Sequence, residues 1–381
     1  MNSPLEWLLA LSPSLCLNDR HRASLEALEA DLAALAHTDP GTTDRAARSA
    51  WLLRTRRGLA GHRPPENAAG GLWQAAAQFL AGYHDLDLRE ATGTGHGQMI
   101  LDHAPPALAE YWRERLAAGG LVGIAATEAH GGSRLPEVTT AATPDVQGRW
   151  RVNGAKRWVS RLTEAEAFVV FVRDPNGAVT AVVVDADSRG LYRHATEPAG
   201  LGGWSWGGLD FDHVAVDPRT HLLGRAGQGT AIFRSHFARF RPLVTACALG
   251  SAAGVHDRVR AALAARRDIG GVPRLRDNAL IALGQSWAEI NAAVLLTFHT
   301  LVAAYPGRTD LAARAGKAHG VDAAVRVANR LAPLIGAAGF QRSHPVAKAR
   351  FDLAALQYAD GIHDGLYRSA GKELLDVPAH R

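Results

Sequence analysis

The sequence predicts a mainly helical α+β protein in which a β domain lies between two helical domains. Residues 1–120 and 227–381 are rich in Ala, Leu and Arg, and apolar residues recur every three to four positions, as in RHRASLEALEADLAALAH. Residues 121–226 instead carry β-branched runs such as AFVVFVRD and AVTAVVVDA, separated by the turn sequences DPNG and DSRG. Because each helical layer needs another surface to cover its apolar stripe, we expect three domains with these bounds.

Composition indicates a soluble globular protein with a small anionic ligand. The chain has 381 residues, of which 47% are hydrophobic and 21% are charged, and its net charge is +5. Arginines and carboxylates alternate along the chain and form no basic block, so nucleic acid is not an expected partner.

Cysteine and histidine usage excludes the usual metal and disulfide frameworks. Cys16 and Cys247 are the two cysteines, without Cys-x-x-Cys spacing, and the 17 histidines are scattered, so we expect a reducing compartment and no metal site. The apolar N-terminal segment carries Glu6 and Pro13 and lacks a charged start. It is therefore a poor signal peptide and too short to span a membrane, and we expect a cytoplasmic location without membrane contact.

The first motif is GIAATEAHGGSRL, residues 123–135. Thr127 follows a short apolar run, and Gly131, Gly132 and Ser133 follow within a turn. Backbone N–H groups and two hydroxyls therefore converge on one loop, an arrangement that grips flat cofactors and phosphates. A glycine-rich turn without a ligand is the alternative interpretation.

The second motif is RWRVNGAKRWVSR, residues 149–161. Asn153 and Gly154 lie between alternating runs, which predicts a type I′ hairpin turn. The strand after that turn would carry Lys156, Trp158 and Ser160 on one face, because side chains alternate along a strand. This face is either ordinary sheet surface or a wall beside an aromatic ring system.

These motifs, followed by LDFDHVAVD, LLGRAGQG and a long helical tail, resemble the acyl-CoA dehydrogenase superfamily from about residue 120 to the end. The resemblance implies an N-terminal helical domain, a central β-barrel-like domain and a C-terminal four-helix bundle. It also implies an FAD-dependent oxidoreductase. By this resemblance, Thr127 and Ser160 hydrogen-bond the pyrimidine side and the N5 edge of the flavin, Trp158 packs on the ring, and Ser133 binds the FAD pyrophosphate or the substrate.

The resemblance also implies cofactor contacts in the C-terminal domain. The segment AARRDIGG is similar to an Arg-x-x-Phe-Gly motif that would place Arg266 on the FAD pyrophosphate of a neighbouring subunit, although Ile269 replaces the aromatic residue. The segment PLIGAAGFQRSHP is similar to an adenosine-binding loop, in which Gly336 and Gly339 match and Pro333 replaces a glutamine. Glycine leaves room there for close approach of the cofactor.

The candidate catalytic base lies near the C-terminus. In RFDLAALQYADG, Asp352 matches the acid of the family's Arg-Asp pair, and Asp360 lies eight residues later, where the family carries a glutamate followed by glycine. The aspartate side chain is one methylene shorter than that of glutamate, so its carboxylate reaches about 1.3 Å less far. Ala359 replaces the tyrosine that usually precedes the base. Relatives with a base in an earlier helix carry it before an arginine, but here Phe240 precedes Arg241.

Three further features are candidates for substrate contact. Trp204 and Trp206 lie in a glycine-rich segment that either packs domains together or stacks an aromatic acyl group. His363 follows the candidate base. Residues 83–101, which match the family poorly, would face the active site, with glycines that permit close approach.

The leading functional prediction is α,β-dehydrogenation of an acyl thioester, bound to CoA or to a carrier protein, with Asp360 removing the α-proton. Electron-transfer flavoprotein or O2 would accept the electrons, and the protein would be a homotetramer or homodimer. A second possibility is a flavin-dependent monooxygenase in which His363, Asp364 or Ser133 orients the substrate. A third is a flavin-free relative that serves as a binding or subunit protein. Reduction of the flavin by an acyl thioester without oxygen distinguishes the first from the second.

Overall fold

The computed structural model describes residues 3–41, 44–64, 70–131, 134–267, 275–302 and 309–375. Its N-terminal part is helical. The helices are α1 Glu6–Leu9, α2 Ser12–Leu15, α3 Asp19–Ala36, α4 Arg45–Leu59, α5 Gly70–His84, α6 Gln98–His103 and α7 Pro106–Ala117. Short 3-10 helices at Leu86–Glu90 and Gly95–Gly97 lie between α5 and α6.

A sheet of eight strands follows. The strands are β1 Val122–Ala125, β2 Ala141–Pro144, β3 Trp150–Ser160, β4 Ala167–Arg173, β5 Val179–Asp185, β6 Leu191–Thr196, β7 Trp206–Val216 and β8 Leu222–Leu223. Their order is β6-β7-β3-β2-β4-β5-β8, and β1 pairs in parallel with β4. The central strands β4 and β5 are buried along most of their length, as their continuous β-branched runs predict.

The C-terminal part is again helical. It contains α8 Pro218–His221, α9 Gly229–Arg267, α10 Asp277–Val302, α11 Thr309–Leu331, α12 Pro345–Ala355 and α13 His363–Leu375, with 3-10 helices at Ala332–Ile335 and Ala337–Phe340 between α11 and α12. Among the described residues, α10 alone is long and apolar enough to cross a membrane by length and composition. Its residues Ile290, Val294 and Phe298 are buried in the helical core, as in a core helix of a bundle.

Helices α5 and α9 join the two helical parts in close contact. A Cβ atom on Gly82 of α5 would lie 2.0 Å from the carbonyl oxygen of Cys247, and one on Gly250 of α9 would lie 1.9 Å from that of Phe79. Only glycine permits such an approach between the two backbones. The contact fixes the segment after α5, which borders the candidate site, against the C-terminal helices.

The predicted hairpin turn at Asn153 and Gly154 is wrong. Both residues lie inside β3, and the turn between β2 and β3 is instead at residues 145–149, where the Asp145 N–H donates to the Arg149 carbonyl at 2.7 Å. Gly154 has a φ of 139°, and a Cβ there would lie 2.7 Å from the Cα of Thr140. A glycine is needed here for a β-bulge and for the close contact between strands. The same Asn-Gly sequence is typical of a hairpin turn, which explains the wrong prediction.

The predicted common face for Lys156, Trp158 and Ser160 is also wrong. The β3–β7 register shifts after Lys156, so that two residues, Arg157 and Trp158, lie opposite the single residue Gly208. Lys156 is fully buried, whereas the Trp158 side chain is 67% exposed and its φ is 59°. This β-bulge interrupts the alternation and turns the indole out of the sheet.

Candidate active site

A cavity of about 910 Å³ lies between the sheet and the helical parts. It brings together five of the residues predicted from sequence: Thr127, Trp158, Ser160, Trp206 and Asp360. These residues come from the loop after β1, the β3 bulge, the end of β3, the start of β7 and the turn between α12 and α13. The fold therefore places residues far apart in sequence around one space.

The sheet side of this cavity carries free polar groups beside an exposed aromatic ring. The Arg157 N–H donates to the Thr127 carbonyl at 2.8 Å, which ties the β1 loop to the bulge. The hydroxyls of Thr127 and Ser160 have no hydrogen-bond partner within the described ranges. Together with Trp158, they present donors and acceptors next to an apolar wall.

Glu128 and Lys156 form a buried ion pair behind Thr127. The Lys156 Nζ lies 2.8 Å from the Glu128 Oε1, and Thr139 and Thr140 each donate to the same carboxylate from both the backbone N–H and the hydroxyl. Burial alone would raise the pKa of Glu128, but these hydrogen bonds hold it well below its ordinary value. The pair fixes the loop that carries Thr127. Sequence reasoning placed Lys156 beside the ligand face and missed this role.

Asp360 lies in a tightly held turn between α12 and α13. Its φ is 57°, a left-handed conformation that aspartate tolerates better than most residues. The Lys317 Nζ donates to the carbonyl oxygens of Leu356, Ala359 and Gly361 at 2.6, 2.7 and 2.9 Å. The Arg241 Nε donates to the Asp360 carbonyl at 3.2 Å.

The Lys317 side chain is almost fully buried among these carbonyl groups. Burial lowers the pKa of Lys317 to about 7. The three carbonyl oxygens favour the protonated amine because they occupy its three N–H groups. Sequence reasoning did not identify Lys317, since a single lysine in a helical run carries no distinguishing pattern.

A charged group from the N-terminal part also lines the cavity, and sequence reasoning did not identify it. Glu90 accepts a hydrogen bond at 2.6 Å from the Arg161 Nη1, and the Arg89 Nε lies 3.8 Å from the same Glu90 oxygen. All three side chains are buried. The available signal was the charged pair Arg89 and Glu90 within the segment predicted to face the site.

Two histidines lie in contact at the edge of the cavity. The His96 Nδ1 lies 3.0 Å from the His236 Nε2, and the His236 ring stacks on Phe240. Burial lowers the pKa of His236 to about 3 and lowers that of His96 well below its ordinary value. Both imidazoles are therefore neutral at neutral pH, and His96 faces the cavity.

The remaining substrate candidates differ in position. Trp206 lines the cavity and donates from its Nε1 to the Leu201 carbonyl at 2.9 Å. Trp204 is buried away from the lining, where its Nε1 donates to a carbonyl between domains, that of Asp87. His363 is also outside the lining, with its Nδ1 2.8 Å from an Asp322 oxygen. Ser133 lies outside the described residues.

The three cofactor candidates of the C-terminal part form a separate group. The Arg266 Nη1 donates to the Leu334 carbonyl at 2.7 Å, which brings the guanidinium beside Gly336. The Gly339 N–H donates to the Gly336 carbonyl at 3.0 Å. These residues do not line the cavity.

Asp85, Asp87 and Asp352 bring carboxylate oxygens within 4.8 Å of one another. The Lys348 Nζ lies 2.6, 2.8 and 2.5 Å from these three residues in turn. The ammonium group therefore supplies the positive charge that a metal ion would supply. The cluster fastens α12 to the segment after α5.

Known proteins resemble this chain in sequence and in structure. The Probable acyl-CoA dehydrogenase FadE25 of Mycobacterium tuberculosis is 26% identical over 254 residues, which are 65% of this chain and 65% of that protein. Butyryl-CoA dehydrogenase from Megasphaera elsdenii has the same fold, with a TM-score of 0.82, 21% identity and coverage of 94% of this chain and 99% of its own.

A glutaryl-CoA dehydrogenase from Mycobacterium smegmatis, solved in complex with FADH2, also has a TM-score of 0.82, at 19% identity over the whole of both chains. These likenesses confirm the predicted fold class. Residues 123–214 match the middle domain of acyl-CoA dehydrogenases, and residues 227–375 match their C-terminal domain. As its motifs predicted, the chain belongs to the acyl-CoA dehydrogenase family of FAD-dependent oxidoreductases.

Proposed function

We propose that the protein catalyses FAD-dependent α,β-dehydrogenation of an acyl thioester, with Asp360 as the base that removes the α-proton. One observation carries this proposal: Asp360 faces the same cavity as Thr127, Trp158 and Ser160. Dehydrogenation needs a base and a hydride acceptor on either side of the substrate bond, so the two groups of residues must share one space.

The residues of the sheet side fit the ring system of FAD. A flat ring with a polar edge needs an apolar wall and hydrogen-bonding groups, which Trp158 and the free hydroxyls of Thr127 and Ser160 supply. When bound, FAD supplies the hydride acceptor. Glu128 and Lys156 hold the Thr127 loop without contributing to the cavity surface themselves.

The chain itself positions the base. Lys317 and Arg241 hold the backbone on both sides of Asp360, so the carboxylate leaves the turn from a fixed point. The Asp360 charge is felt by three buried cations, since it opposes the lowering of the pKa values of Arg161, Arg241 and Lys317 that burial causes. These cations therefore lie near enough to the Asp360 carboxylate for electrostatic attraction.

The separate group around Arg266 supports a cofactor site shared between subunits. Arg266, Gly336 and Gly339 lie together, and Phe340 beside them is 93% exposed. This surface would receive the adenosine and pyrophosphate end of the FAD of a second copy of the chain. A cofactor site shared in this way would require a homo-oligomer, at least a dimer. The thioester handle would be CoA or a carrier-protein pantetheine arm, and the electron acceptor electron-transfer flavoprotein or O2.

Anaerobic titration tests the proposal. The FAD-loaded protein is mixed with a panel of acyl-CoA thioesters while the flavin absorbance near its long-wavelength maximum is followed. Bleaching by one or more thioesters, with formation of the enoyl product, supports dehydrogenation. If bleaching occurs only with an external reductant and product formation consumes O2, the monooxygenase alternative is correct. The polar groups Glu90 and His96 in the cavity lining are the observation that favours this alternative.

A further inference from the structure

Arg89 is a buried cation that has no hydrogen-bonded partner among the residues that the structure describes. Arg89 lies in the 3-10 helix Leu86–Glu90, is 8% exposed, and lines the cavity. Its Nη1 is buried and has no hydrogen bond, and its side chain donates none to any part of the chain that the structure describes. A guanidinium carries five N–H donors, so this arrangement leaves strong donors unused inside the protein.

Arg161 approaches the same place from the end of β3. It is 1% exposed, its Nη1 donates to Glu90, and its Nε is buried and has no hydrogen-bond partner in the described part of the chain. The Arg89 Nε lies 3.8 Å from the Glu90 oxygen that Arg161 uses. One carboxylate therefore faces two guanidinium groups. Neither arginine has another carboxylate within salt-bridge distance among the described residues.

The other basic side chains nearby do not balance the excess positive charge of Arg89 and Arg161 over Glu90. Arg56 donates to the backbone carbonyls of Gly119, Gly120 and Glu90 and brings no negative charge. His96 is neutral, because burial lowers its pKa and the charges of Arg161 and Arg89 lower it further. Burying an uncompensated charge is costly, and so is leaving buried donors unpaired. A bound anion would remove both costs.

The position of this excess positive charge in the cavity indicates which part of a bound ligand would contact it. Arg89 and Arg161 line the cavity that contains Asp360, so a substrate placed at the base extends beside them. A long alkyl chain would desolvate these charged groups without replacing their hydrogen bonds. Phe237 and Phe240 supply an apolar wall of the same cavity, which suits a few methylene groups.

We propose that Arg89 and Arg161 bind the anionic far end of the substrate's acyl group, so that the preferred substrates are short acyl thioesters whose chain ends in a carboxylate. The inference rests on the proposed dehydrogenation of an acyl thioester at this cavity. Each guanidinium retains donors for a carboxylate oxygen while Glu90 stays between them. The subsite determines which substrate is accepted, whereas Asp360 acts on the α-carbon.

A pair of unreactive ligands tests the subsite by binding alone. S-(4-carboxybutyl)-CoA and S-pentyl-CoA are thioethers of the same length, and neither can be dehydrogenated. Isothermal titration of the FAD-loaded protein should give about 10- to 100-fold tighter binding of the carboxylate ligand, as expected for hydrogen bonds to a charged group. Equal affinities of the two ligands would overturn the inference, whatever the behaviour of any variant.

Variants assign the difference to the arginines. In Arg89→Gln the preference for the carboxylate ligand should fall to less than about 3-fold, and Arg89→Lys should restore part of it. Arg54→Gln, on the exposed face of α4, removes the same charge away from the cavity and should keep the wild-type preference. A preference that survives Arg89→Gln unchanged, in a protein that still binds FAD, contradicts the assignment.

Reaction with the matching thioesters separates this inference from the proposed function. Glutaryl-CoA should bleach the flavin with a kcat/KM at least about 10-fold above that for pentanoyl-CoA, the uncharged thioester with the same number of acyl carbons. If neither bleaches it but the carboxylate thioether binds more tightly through Arg89, dehydrogenation fails and the subsite stands. If both bleach it equally and both thioethers bind equally, dehydrogenation stands and the subsite is refuted.

Discussion

The ammonium group of Lys317 lies 2.7 Å from the carbonyl oxygen of Ala359, the residue before the proposed base. The same Nζ reaches the carbonyl of Gly361, on the other side of Asp360, at 2.9 Å. A buried side chain of α11 thus holds the peptide groups on both sides of Asp360. The left-handed φ of Asp360 persists because its surroundings impose it.

Lys317→Met should lower turnover strongly without removing the flavin. The variant loses three hydrogen bonds at the turn, and a shift of about 1 Å in the base costs about 100-fold in rate. We therefore expect kcat to fall about 100-fold while the FAD content per chain stays near the wild-type value. Stopped-flow bleaching with the best thioester and the absorbance ratio of flavin to protein measure the two quantities.

Lys372→Met is the matched control, because Lys372 lies on the exposed face of α13. It should keep the wild-type kcat. An unchanged kcat in Lys317→Met would show that the turn does not need this lysine. A loss of FAD together with activity would instead indicate general unfolding, which circular dichroism of the variant detects.

Asp360→Asn should retain the cavity and lose the base. General base catalysis contributes about 10²- to 10⁴-fold, so flavin bleaching should slow by that factor while ligand binding persists. Asp360→Glu tests reach, since it adds one methylene at a position with left-handed φ and changes the carboxylate position by about 1.3 Å. Wild-type bleaching rates in Asp360→Asn would exclude Asp360 as the base.

The sequence motifs predicted the family, the order of helical and β regions, and the residues on one side of the cavity, because each depends on residues close in sequence. Thr127, Trp158 and Ser160 belong to local patterns of turns and strands. The bulge at Trp158 was not predictable from alternation, since it depends on the register with β7. Sequence patterns did not predict the roles of three residues, Arg89, Arg161 and Lys317, because these roles depend on burial and on partners distant along the chain.

Glu128→Gln should destabilise the fold more than removal of both charges. The single change leaves the fully buried Lys156 without its carboxylate, and breaking a buried pair in this way costs about 3–5 kcal/mol. The double variant Glu128→Gln with Lys156→Met should lose less. Denaturant unfolding of the three proteins measures the free energies of unfolding. A double variant less stable than Glu128→Gln would contradict this explanation.

Trp158→Ala should weaken FAD binding and leave the FAD-free protein stable. The indole is 67% exposed in the cavity, so truncation removes little packing, and the free energy of unfolding should change by less than about 0.5 kcal/mol. Loss of an aromatic contact worth about 1 kcal/mol raises the Kd for FAD about 5-fold. Flavin fluorescence titration measures this Kd. Trp287→Ala, at a half-exposed indole on α10, should leave the Kd unchanged.

The histidine pair beside Phe240 makes the fold sensitive to acid. Burial lowers the pKa of His236 from an ordinary value of 6.5 to about 3. As the pH falls below 6.5, the unfolded chain binds a proton that the folded protein does not, so the free energy of unfolding decreases by about 1.4 kcal/mol per pH unit for this histidine. His96 adds to the same slope, because its pKa is lowered as well.

Urea unfolding of the FAD-free protein between pH 7 and pH 4.5 should therefore show a loss of stability that His236→Gln reduces by about 2 kcal/mol over the lower 1.5 pH units. His319→Gln, on the exposed face of α11, should keep the wild-type slope. The effect requires His236 to remain neutral in the folded state, which its position against His96 and Phe240 favours. Equal slopes for His236→Gln and His319→Gln would mean that the folded protein protonates His236 as readily as the unfolded chain does.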